Sequence, residues 1–166
     1  MRVGHGWDLH RLVAGRPFRL GGLTIPHSRG SLGHSDGDVL LHALMDALLG
    51  AAGFGDIGLH FPDTDARWKD ADSSVLCDQV LEKVNRAGFT PVNADVTVIA
   101  QEPKLSPYRD ALRDSVARHL NLHPKCVNIK AKTTEGLGDI GAGLAVACHA
   151  VVLLEEIPKE GPGFGP

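Results

Sequence analysis

The clearest hydrophobic periodicity in the chain lies between residues 36 and 52. Apolar residues recur there at spacings of three and four, as in a helix with one buried face: Val39, Leu40, Ala43, Leu44, Ala47 and Leu48. Ser35 is a natural N-cap, and Asp38 three residues later completes a capping box. Gly53 follows as a stop signal. The pattern therefore predicts a helix from about residue 36 to residue 52.

Two further helices are predicted downstream. Asp72 or Ser73 caps the first of them and Gly88 ends it, with apolar positions at Leu76, Val80, Val84 and Ala87. The second begins after the proline-rich break at 103–107 and turns Leu112, Val116 and Leu120 inwards. Between the helix that ends at Gly53 and the one that begins near residue 72, no periodicity is visible. A polar connection of that length in a compact domain is usually functional or mobile.

Alternating or apolar segments predict the strands. The first covers residues 1–8 and ends in Asp8-Leu9-His10. Gly21-Gly22 lies between two short apolar runs, which is a two-residue hairpin signal. Later segments predict strands over about 94–100, 127–131 and 144–154. Helices interleaved with short strands indicate one α+β or α/β sandwich, and the β-α-β-β order over 91–155 favours a ferredoxin-like arrangement.

Composition narrows the class of protein. The 166 residues are 43% hydrophobic and 22% charged, as in an ordinary single-domain protein. A net charge of −3 without a basic run argues against nucleic acid and membrane surfaces as partners. The longest apolar segment, 144–154, is too short to span a bilayer. The domain is predicted over 1–157, followed by a disordered Gly/Pro tail over 158–166.

Cellular location is predicted from the N-terminus and the cysteines. Strand-like sequence begins directly at Met1, so no signal or transit peptide is expected. Cys77, Cys126 and Cys148 are odd in number and scattered along the chain. Free thiols in a reducing cytoplasm are the simplest interpretation.

Three side chains form a candidate metal site. Asp8 and His10 lie two apart, and therefore on the same face of a strand. His42 from the predicted helix is a third ligand, which leaves the open position of a catalytic zinc site. Asp38 and Asp46, one turn either side of His42, are candidates to orient its ring. The alternative is that these are surface histidines, a helix-capping aspartate and a solvated helix face.

Loop residues indicate a polar ligand. Carboxylates occur beside glycine or proline after regular elements, at Asp56, Asp63, Asp65 and Glu135. Such loops suit hydroxyls, phosphates and a second, hard metal such as Mg²⁺, and Lys104 and Lys132 could offset phosphate charge. Solvated carboxylates and lysines are the alternative. No nucleophile elbow, P-loop or G-x-G-x-x-G is present, so metal and positioning would carry any chemistry.

Taken together, the motifs closely resemble the 2-C-methyl-D-erythritol 2,4-cyclodiphosphate synthase family. The resemblance extends in order to about residue 155 and rests on six segments: Gly4-His5-Gly6-x-Asp8-x-His10, His34-Ser35-Asp36-Gly37-Asp38-x-x-x-His42-Ala43, Asp46-Ala47-Leu48-x-Gly50-Ala51, Gly55-Asp56-Ile57-Gly58-x-x-Phe61-Pro62-Asp63-Thr64-Asp65, Ala100-Gln101-x-Pro103-Lys104 and Thr133-Thr134-Glu135-x-Leu137-Gly138.

The resemblance implies a homotrimer with active sites between subunits, each subunit a mixed β-sheet layered with helices. The expected absence of a transit peptide favours a bacterial over a plastid source. The implied activity is that of a phosphorus–oxygen lyase in the non-mevalonate isoprenoid pathway. The 2-phosphate of 4-diphosphocytidyl-2-C-methyl-D-erythritol 2-phosphate attacks the β-phosphorus, which closes the cyclodiphosphate and releases CMP.

The resemblance also implies residue roles. Asp8, His10 and His42 would hold Zn²⁺, and Glu135 would hold Mg²⁺ or Mn²⁺. His34 and Thr133 match residues assigned to transition-state stabilisation. The implied substrate contacts on the methylerythritol side are Asp8, His10, His34, Ser35, Asp56, Ile57, Gly58, Phe61, Pro62, Asp63, Thr64 and Asp65. On the cytidine and diphosphate side they are Ala100, Pro103, Lys104, Leu105, Ser106, Lys132, Thr133, Thr134 and Glu135.

The sequence departs from the family pattern in one place. Many members carry an aromatic, an arginine and a glutamate where this chain has Asp139, Ala142 and Leu144. Those family positions face the threefold axis, where an isoprenoid diphosphate can bind. We therefore expect weak or no binding of an isoprenoid diphosphate in the central cavity. Lys132, where a threonine is common, is a milder difference.

Two other functions are compatible with the same ligands. A zinc-dependent phosphohydrolase would use the three side chains to activate water and would release open-chain phosphates. A non-catalytic trimeric metal-binding protein would use Asp8, His10 and His42 only to clip a helix to a strand. The loop motifs for nucleotide and diphosphate weigh against both.

Overall fold

A computed structural model of the chain describes residues 1–157. The predicted disordered tail, 158–166, lies outside the described residues. The strands are β1 (Arg2–Ala14), β2 (Phe18–Leu20), β3 (Leu23–Ile25), β4 (Arg29–Ser31), β5 (Phe89–Ile99), β6 (Val127–Lys132) and β7 (Ala145–Glu156). The helices are α1 (Val39–Ala52), α2 (Ile57–His60), α3 (Ser73–Arg86), α4 (Arg109–His119) and α5 (Gly138–Gly141).

Five strands form one mixed sheet in the order β4-β1-β7-β5-β6, and β2 and β3 form a separate hairpin. β5 and β6 are parallel, whereas the other neighbouring pairs are antiparallel. The α+β class with a mixed sheet and helices is thus confirmed, as is the hairpin, in which Leu20 pairs with Leu23. Among the described residues, no helix is long and apolar enough to cross a membrane.

The predicted ferredoxin-like arrangement is wrong. In that arrangement the β-α-β unit is split, with another strand between its two parallel strands. Here β5 and β6 are direct parallel neighbours joined through α4, and β7 pairs with the other edge of β5. Strand order depends on non-local pairing, which hydrophobic periodicity does not encode.

The start of α1 also differs from the prediction. Its N-cap is Asp38, whose side chain accepts a hydrogen bond from the Leu41 amide, so the helix begins at Val39 rather than near residue 36. Ser35 does not cap the helix because its hydroxyl lies 3.0 Å from Nε2 of His42. The predicted end is confirmed, since Gly53 is the C-cap in a left-handed conformation with φ of 79°.

Several other bounds shift. β1 continues to Ala14, which places Asp8 and His10 inside the strand rather than at its end, because β1 pairs with β7 and then with the unpredicted β4. The connection after Gly53 contains α2 and a 3₁₀ turn over Ala66–Trp68. Ala87 is the C-cap of α3, one residue before the predicted Gly88.

α1 lies across β1 and supplies much of the core. Twelve of its residues are buried, and two glycines of β1 allow the helix backbone to come unusually close. A Cβ atom on Gly6 would lie 1.9 Å from the Ala43 carbonyl oxygen, and one on Gly4 would lie 1.9 Å from that of Ala47. This close approach brings the His42 end of α1 over the β1 strand that carries Asp8.

Asp38 ties the start of α1 to the β2–β3 hairpin. Its fully buried carboxylate accepts hydrogen bonds from the amides of Gly21 (2.8 Å), Gly22 (2.7 Å) and Leu41 (3.0 Å). One carboxylate therefore satisfies backbone donors from two elements, which otherwise would lie buried and unpaired.

We expect Asp38→Asn to lower the free energy of unfolding by about 1–3 kcal/mol, the usual cost of a buried unsatisfied polar group. The NH₂ group of the asparagine side chain would face backbone N–H groups, which cannot accept a hydrogen bond from it. Urea denaturation measures the change, with the exposed Asp114→Asn as the control expected to stay near wild type. Equal loss in both variants would contradict this role.

Candidate active site

Three potential metal ligands meet where α1 crosses β1. Asp8 and His10 project from the same face of β1, and His42 comes from the first turn of α1. Their ligand atoms all lie within 4.8 Å of one another. Oδ2 of Asp8 is 3.0 Å from Nδ1 of both His10 and His42. The structure thus brings together the three residues predicted from sequence.

The donor set fits a divalent metal ion. Nδ1 of His10 is buried and makes no hydrogen bond within residues 1–157, although Oδ2 of Asp8 lies 3.0 Å away. A buried ring nitrogen that makes no hydrogen bond destabilises the folded protein unless another group, such as a metal ion, binds to it. Two imidazoles and one carboxylate that face an open cavity are a donor set shared by zinc and other first-row metals.

The three side chains of the cluster alter one another's ionisation. Burial alone would raise the pKa of Asp8, but the imidazoles of His10 and His42, which both lie 3.0 Å from its Oδ2, hold that pKa well below its usual range. Burial disfavours the charged form of His42, yet its hydrogen bond to Asp8 raises the pKa of the imidazole. The carboxylate is therefore ionised and available for a metal at neutral pH.

The ring of His42 is oriented by two serines. Its Nε2 lies 3.0 Å from Oγ of Ser35 and 3.0 Å from Oγ of Ser73, both buried. The prediction that Asp38 or Asp46 orients this ring is wrong, because their carboxylates serve backbone amides instead. Asp46 accepts from the Ile57 amide at 2.8 Å and so holds α2.

A cavity of about 400 Å³ opens above the cluster. Of the predicted substrate residues, it is lined by Asp8, His10, His34, Ser35, Ile57, Gly58, Phe61, Pro62 and Asp63. The predicted residues Asp56, Thr64 and Asp65 do not line it. Asp56 caps α2, and Asp65 caps the following 3₁₀ turn while it pairs with Arg67.

Sequence reasoning missed three residues that line this cavity: Met45, Trp68 and Leu76. All three resemble ordinary core residues in the sequence, and only the helical spacing of Met45 from His42 offered a signal. Trp68 packs edge-on against Phe61 with ring centroids 5.0 Å apart, and its buried Nε1 has no hydrogen-bond partner.

A second cavity of about 190 Å³ lies where β5 and β6 end. Of the predicted residues, it is lined by Ala100, Pro103, Lys104, Leu105, Ser106, Lys132 and Thr133. Gln101, from the same predicted segment, also lines it, whereas Arg109 and Ala131 line it without having been predicted. The two cavities share no lining residue among the described part of the chain.

The predicted Glu135 and Thr134 lie beside the second cavity rather than in its lining. Oγ1 of Thr133 donates to Oε1 of Glu135 at 2.7 Å, and Oγ1 of Thr134 donates to the Leu137 carbonyl at 2.7 Å. Glu135 is exposed and is not part of the three-residue cluster around His42. A single chain therefore does not place the two predicted metal sites together.

The chain matches one family of known proteins over nearly its whole length. The model of the YgbB family matches residues 1–155. The 2-C-methyl-D-erythritol 2,4-cyclodiphosphate synthase of Salinibacter ruber is 54% identical over 155 residues, which are 93% of this chain and 99% of the relative. That of Laribacter hongkongensis is 56% identical over 160 residues, covering 96% and 99%.

Solved structures agree with these relatives. A 2C-methyl-D-erythritol-2,4-cyclodiphosphate synthase in its CDP-bound form superposes with a TM-score of 0.86. It is 46% identical, and the match covers 93% of this chain and 100% of the other. The match over residues 1–155 and the identities above half confirm the resemblance first seen in the motifs, and the chain belongs to the YgbB family.

Proposed function

We propose that this chain is a 2-C-methyl-D-erythritol 2,4-cyclodiphosphate synthase, a phosphorus–oxygen lyase of the non-mevalonate isoprenoid pathway. Its substrate would be 4-diphosphocytidyl-2-C-methyl-D-erythritol 2-phosphate, and its products the 2,4-cyclodiphosphate and CMP. The observation that carries the proposal is the Asp8–His10–His42 cluster beneath a cavity lined by both polar and apolar residues. Relatives above 50% identity over nearly their whole length are named for the same activity.

The side chains of the candidate active site suit this intramolecular reaction. A phosphate monoester is already ionised at pH 7, so the attacking oxygen needs no general base. Zn²⁺ on the cluster and Mg²⁺ or Mn²⁺ on Glu135 would supply Lewis-acid neutralisation of phosphate charge. A pocket that holds both ends of the substrate in line contributes proximity, worth up to ~7–11 kcal/mol in ideal geometry.

Within the first cavity, the side chains have distinct tasks. Ser35 and His34 would donate to the 2-phosphate and its transition state, while the Gly58 amide in the first turn of α2 would donate to a methylerythritol hydroxyl. Phe61 and Trp68 form an apolar wall that would exclude water from the reacting phosphates. Exclusion of water strengthens each of these polar contacts.

The second cavity is suited to the cytidine diphosphate part of the substrate. Lys104, Lys132 and Arg109 bring three cationic side chains to a small pocket, and Thr133 connects it to Glu135. Such a combination complements a nucleotide with two phosphates. The related synthase in its CDP-bound form supports this assignment.

Trimer formation would bring the two cavities together across a subunit boundary. The face of β1 and β7 opposite α1 exposes large apolar side chains: Val3, Trp7, Leu9 and Val151. An exposed apolar sheet face of this kind is typical of an assembly surface. We further propose a reducing cytoplasm as the location, since all three cysteines are free thiols. Isoprenoid diphosphates are expected to bind weakly at the threefold axis.

The ³¹P NMR spectrum of the product tests the proposed function. With the cytidyl substrate and added divalent metal, the synthase gives two coupled diphosphate signals of a cyclic product together with CMP. Open-chain phosphates would instead identify the zinc-dependent phosphohydrolase. An unchanged substrate spectrum with a fully metal-loaded protein would identify a non-catalytic metal-binding protein.

Glu135→Gln should raise the Mg²⁺ or Mn²⁺ concentration needed for half-maximal turnover and leave bound zinc unchanged. The amide lacks the charge that a hard cation requires, and Glu135 lies outside the zinc cluster. Metal titration of turnover and zinc content by mass spectrometry measure both effects. Glu155→Gln, at the exposed end of β7, is the control and should follow wild type. Loss of zinc in Glu135→Gln would contradict the two-site assignment.

A further inference from the structure

A chain of hydrogen bonds leads from His42 away from the cavity into the protein. Nε2 of His42 contacts Oγ of Ser73, which is fully buried at the start of α3. Ser73 donates its hydroxyl to Oδ1 of Asp36 and its amide to Oδ2 of the same carboxylate. The guanidinium of Arg19 faces Asp36 at 3.6 Å. Neither Ser73 nor Asp36 lines the cavity above the cluster.

The direction of these bonds is fixed by the number of protons. A hydroxyl has one hydrogen to donate, and that of Ser73 goes to the Asp36 carboxylate. Oγ of Ser73 therefore meets Nε2 of His42 as an acceptor, so Nε2 carries a proton. Nδ1, which lies 3.0 Å from Oδ2 of Asp8, is then the nitrogen that presents its lone pair when a metal is bound.

We propose that Asp36 and Ser73 are positioning residues for the metal centre, which fix the orientation and the tautomer of His42. This inference rests on the proposed function to the extent that the Asp8–His10–His42 cluster holds a divalent metal. Without the Asp36 carboxylate, the Ser73 hydroxyl would be free to donate to Nε2. That would favour the tautomer with a proton on Nδ1, which cannot bind a metal through that atom.

The same arrangement assigns a role to the Ser35 proton. Oγ of Ser35 also lies 3.0 Å from Nε2 of His42, so it shares the one Nε2 proton with Ser73, and it accepts from the Gly37 amide at 3.3 Å. Oγ of Ser35 is the acceptor in both contacts, because the hydrogen bond from Ser73 to Asp36 already requires Nε2 of His42 to carry a proton. The Ser35 hydroxyl is left to donate into the cavity, where it would meet an anionic oxygen of the substrate.

Zinc affinity tests the inference, measured by competition with a chromogenic chelator. Ser73→Ala and Asp36→Ala should each bind zinc about 10–100-fold more weakly than wild type, the usual effect of a lost outer partner. The visible spectrum of the Co²⁺-loaded protein should also change, because the basicity of the His42 ligand changes. Ser115→Ala, which removes a buried hydroxyl from α4, is the matched control and should change neither property.

Thermal melting of the metal-free variants establishes that each is folded. If Ser73→Ala fails to fold, Asp36→Asn is used instead. The asparagine side chain has only one oxygen, so it cannot accept all three hydrogen bonds that Asp36 receives from the Ser73 hydroxyl and from the backbone amides of Ser73 and Asp38. Zinc affinity and Co²⁺ spectra like those of Ser115→Ala in the folded variants would overturn the inference. Failure of the wild-type protein itself to bind zinc would instead overturn the proposed metal centre.

Discussion

Replacement of His42 by alanine is expected to abolish metal binding and turnover together. The variant keeps only Asp8 and His10, both on β1, and loses the one ligand that α1 supplies. We expect zinc affinity to fall roughly 100-fold or more, since loss of an outer partner alone already costs about 10–100-fold. Metal content after gel filtration and ³¹P NMR of the reaction mixture measure the two losses.

The control for His42→Ala is His119→Ala. His119 lies at the end of α4 and pairs with Asp78, and it lines neither the cavity above the metal cluster nor the one at the ends of β5 and β6. It should retain both zinc and turnover. Both variants should elute from gel filtration at the same volume as the wild-type protein. Turnover by a zinc-free His42→Ala protein would show that the Lewis-acid assignment is wrong.

The three ligands of the metal cluster could be nominated from residue type and local spacing, and the family resemblance then assigned them to one site. Asp8 and His10 are two apart on a strand, and His42 lies on the polar side of a strongly periodic helix. The error in the strand bounds did not matter, because i and i+2 share a face anywhere within a strand. Residue type and local period were therefore sufficient to nominate these three ligands.

The surroundings of the cluster were not predictable in the same way. Ser73 reaches His42 only because the start of α3 packs against the loop before α1, and the two residues are 31 positions apart. Ser35 and Asp38 are both good N-cap residues. The choice between them depended on the β2–β3 hairpin, whose amides engage Asp38. Such contacts arise from tertiary packing rather than from local propensity.

Gly6 determines how closely α1 packs on β1 beside the metal cluster. It lies two residues before Asp8 on β1, and it faces the backbone of α1 at Ala43, the residue after His42. The distance between β1 and α1 at this point sets how far His42 stands from Asp8. A strand glycine is commonly a site of close backbone approach, and here that approach determines the geometry of the cluster.

Gly6→Ala is accordingly expected to have the largest effect on stability. The new Cβ would lie 1.9 Å from the Ala43 carbonyl oxygen and 2.8 Å from the Ala47 amide nitrogen, so no side-chain rotation can relieve the clash. α1 must move away from β1. We expect the free energy of unfolding to fall by ~3 kcal/mol or more, the upper part of the range for overpacking. Zinc affinity should fall as well, because the same shift separates His42 from Asp8.

Urea denaturation with and without zinc measures both effects, and Gly50→Ala is the matched control. Gly50 is also a glycine of the β1–α1 layer, on α1, but a Cβ there would meet nothing within 4 Å. Alanine should stabilise that helical position by about 0.5–1 kcal/mol. The free energy of unfolding should therefore fall in Gly6→Ala and rise in Gly50→Ala. This difference is expected only if the contact with the Ala43 backbone is what excludes a side chain at position 6. A Gly6→Ala protein as stable as Gly50→Ala would show that α1 can withdraw from β1 at no cost.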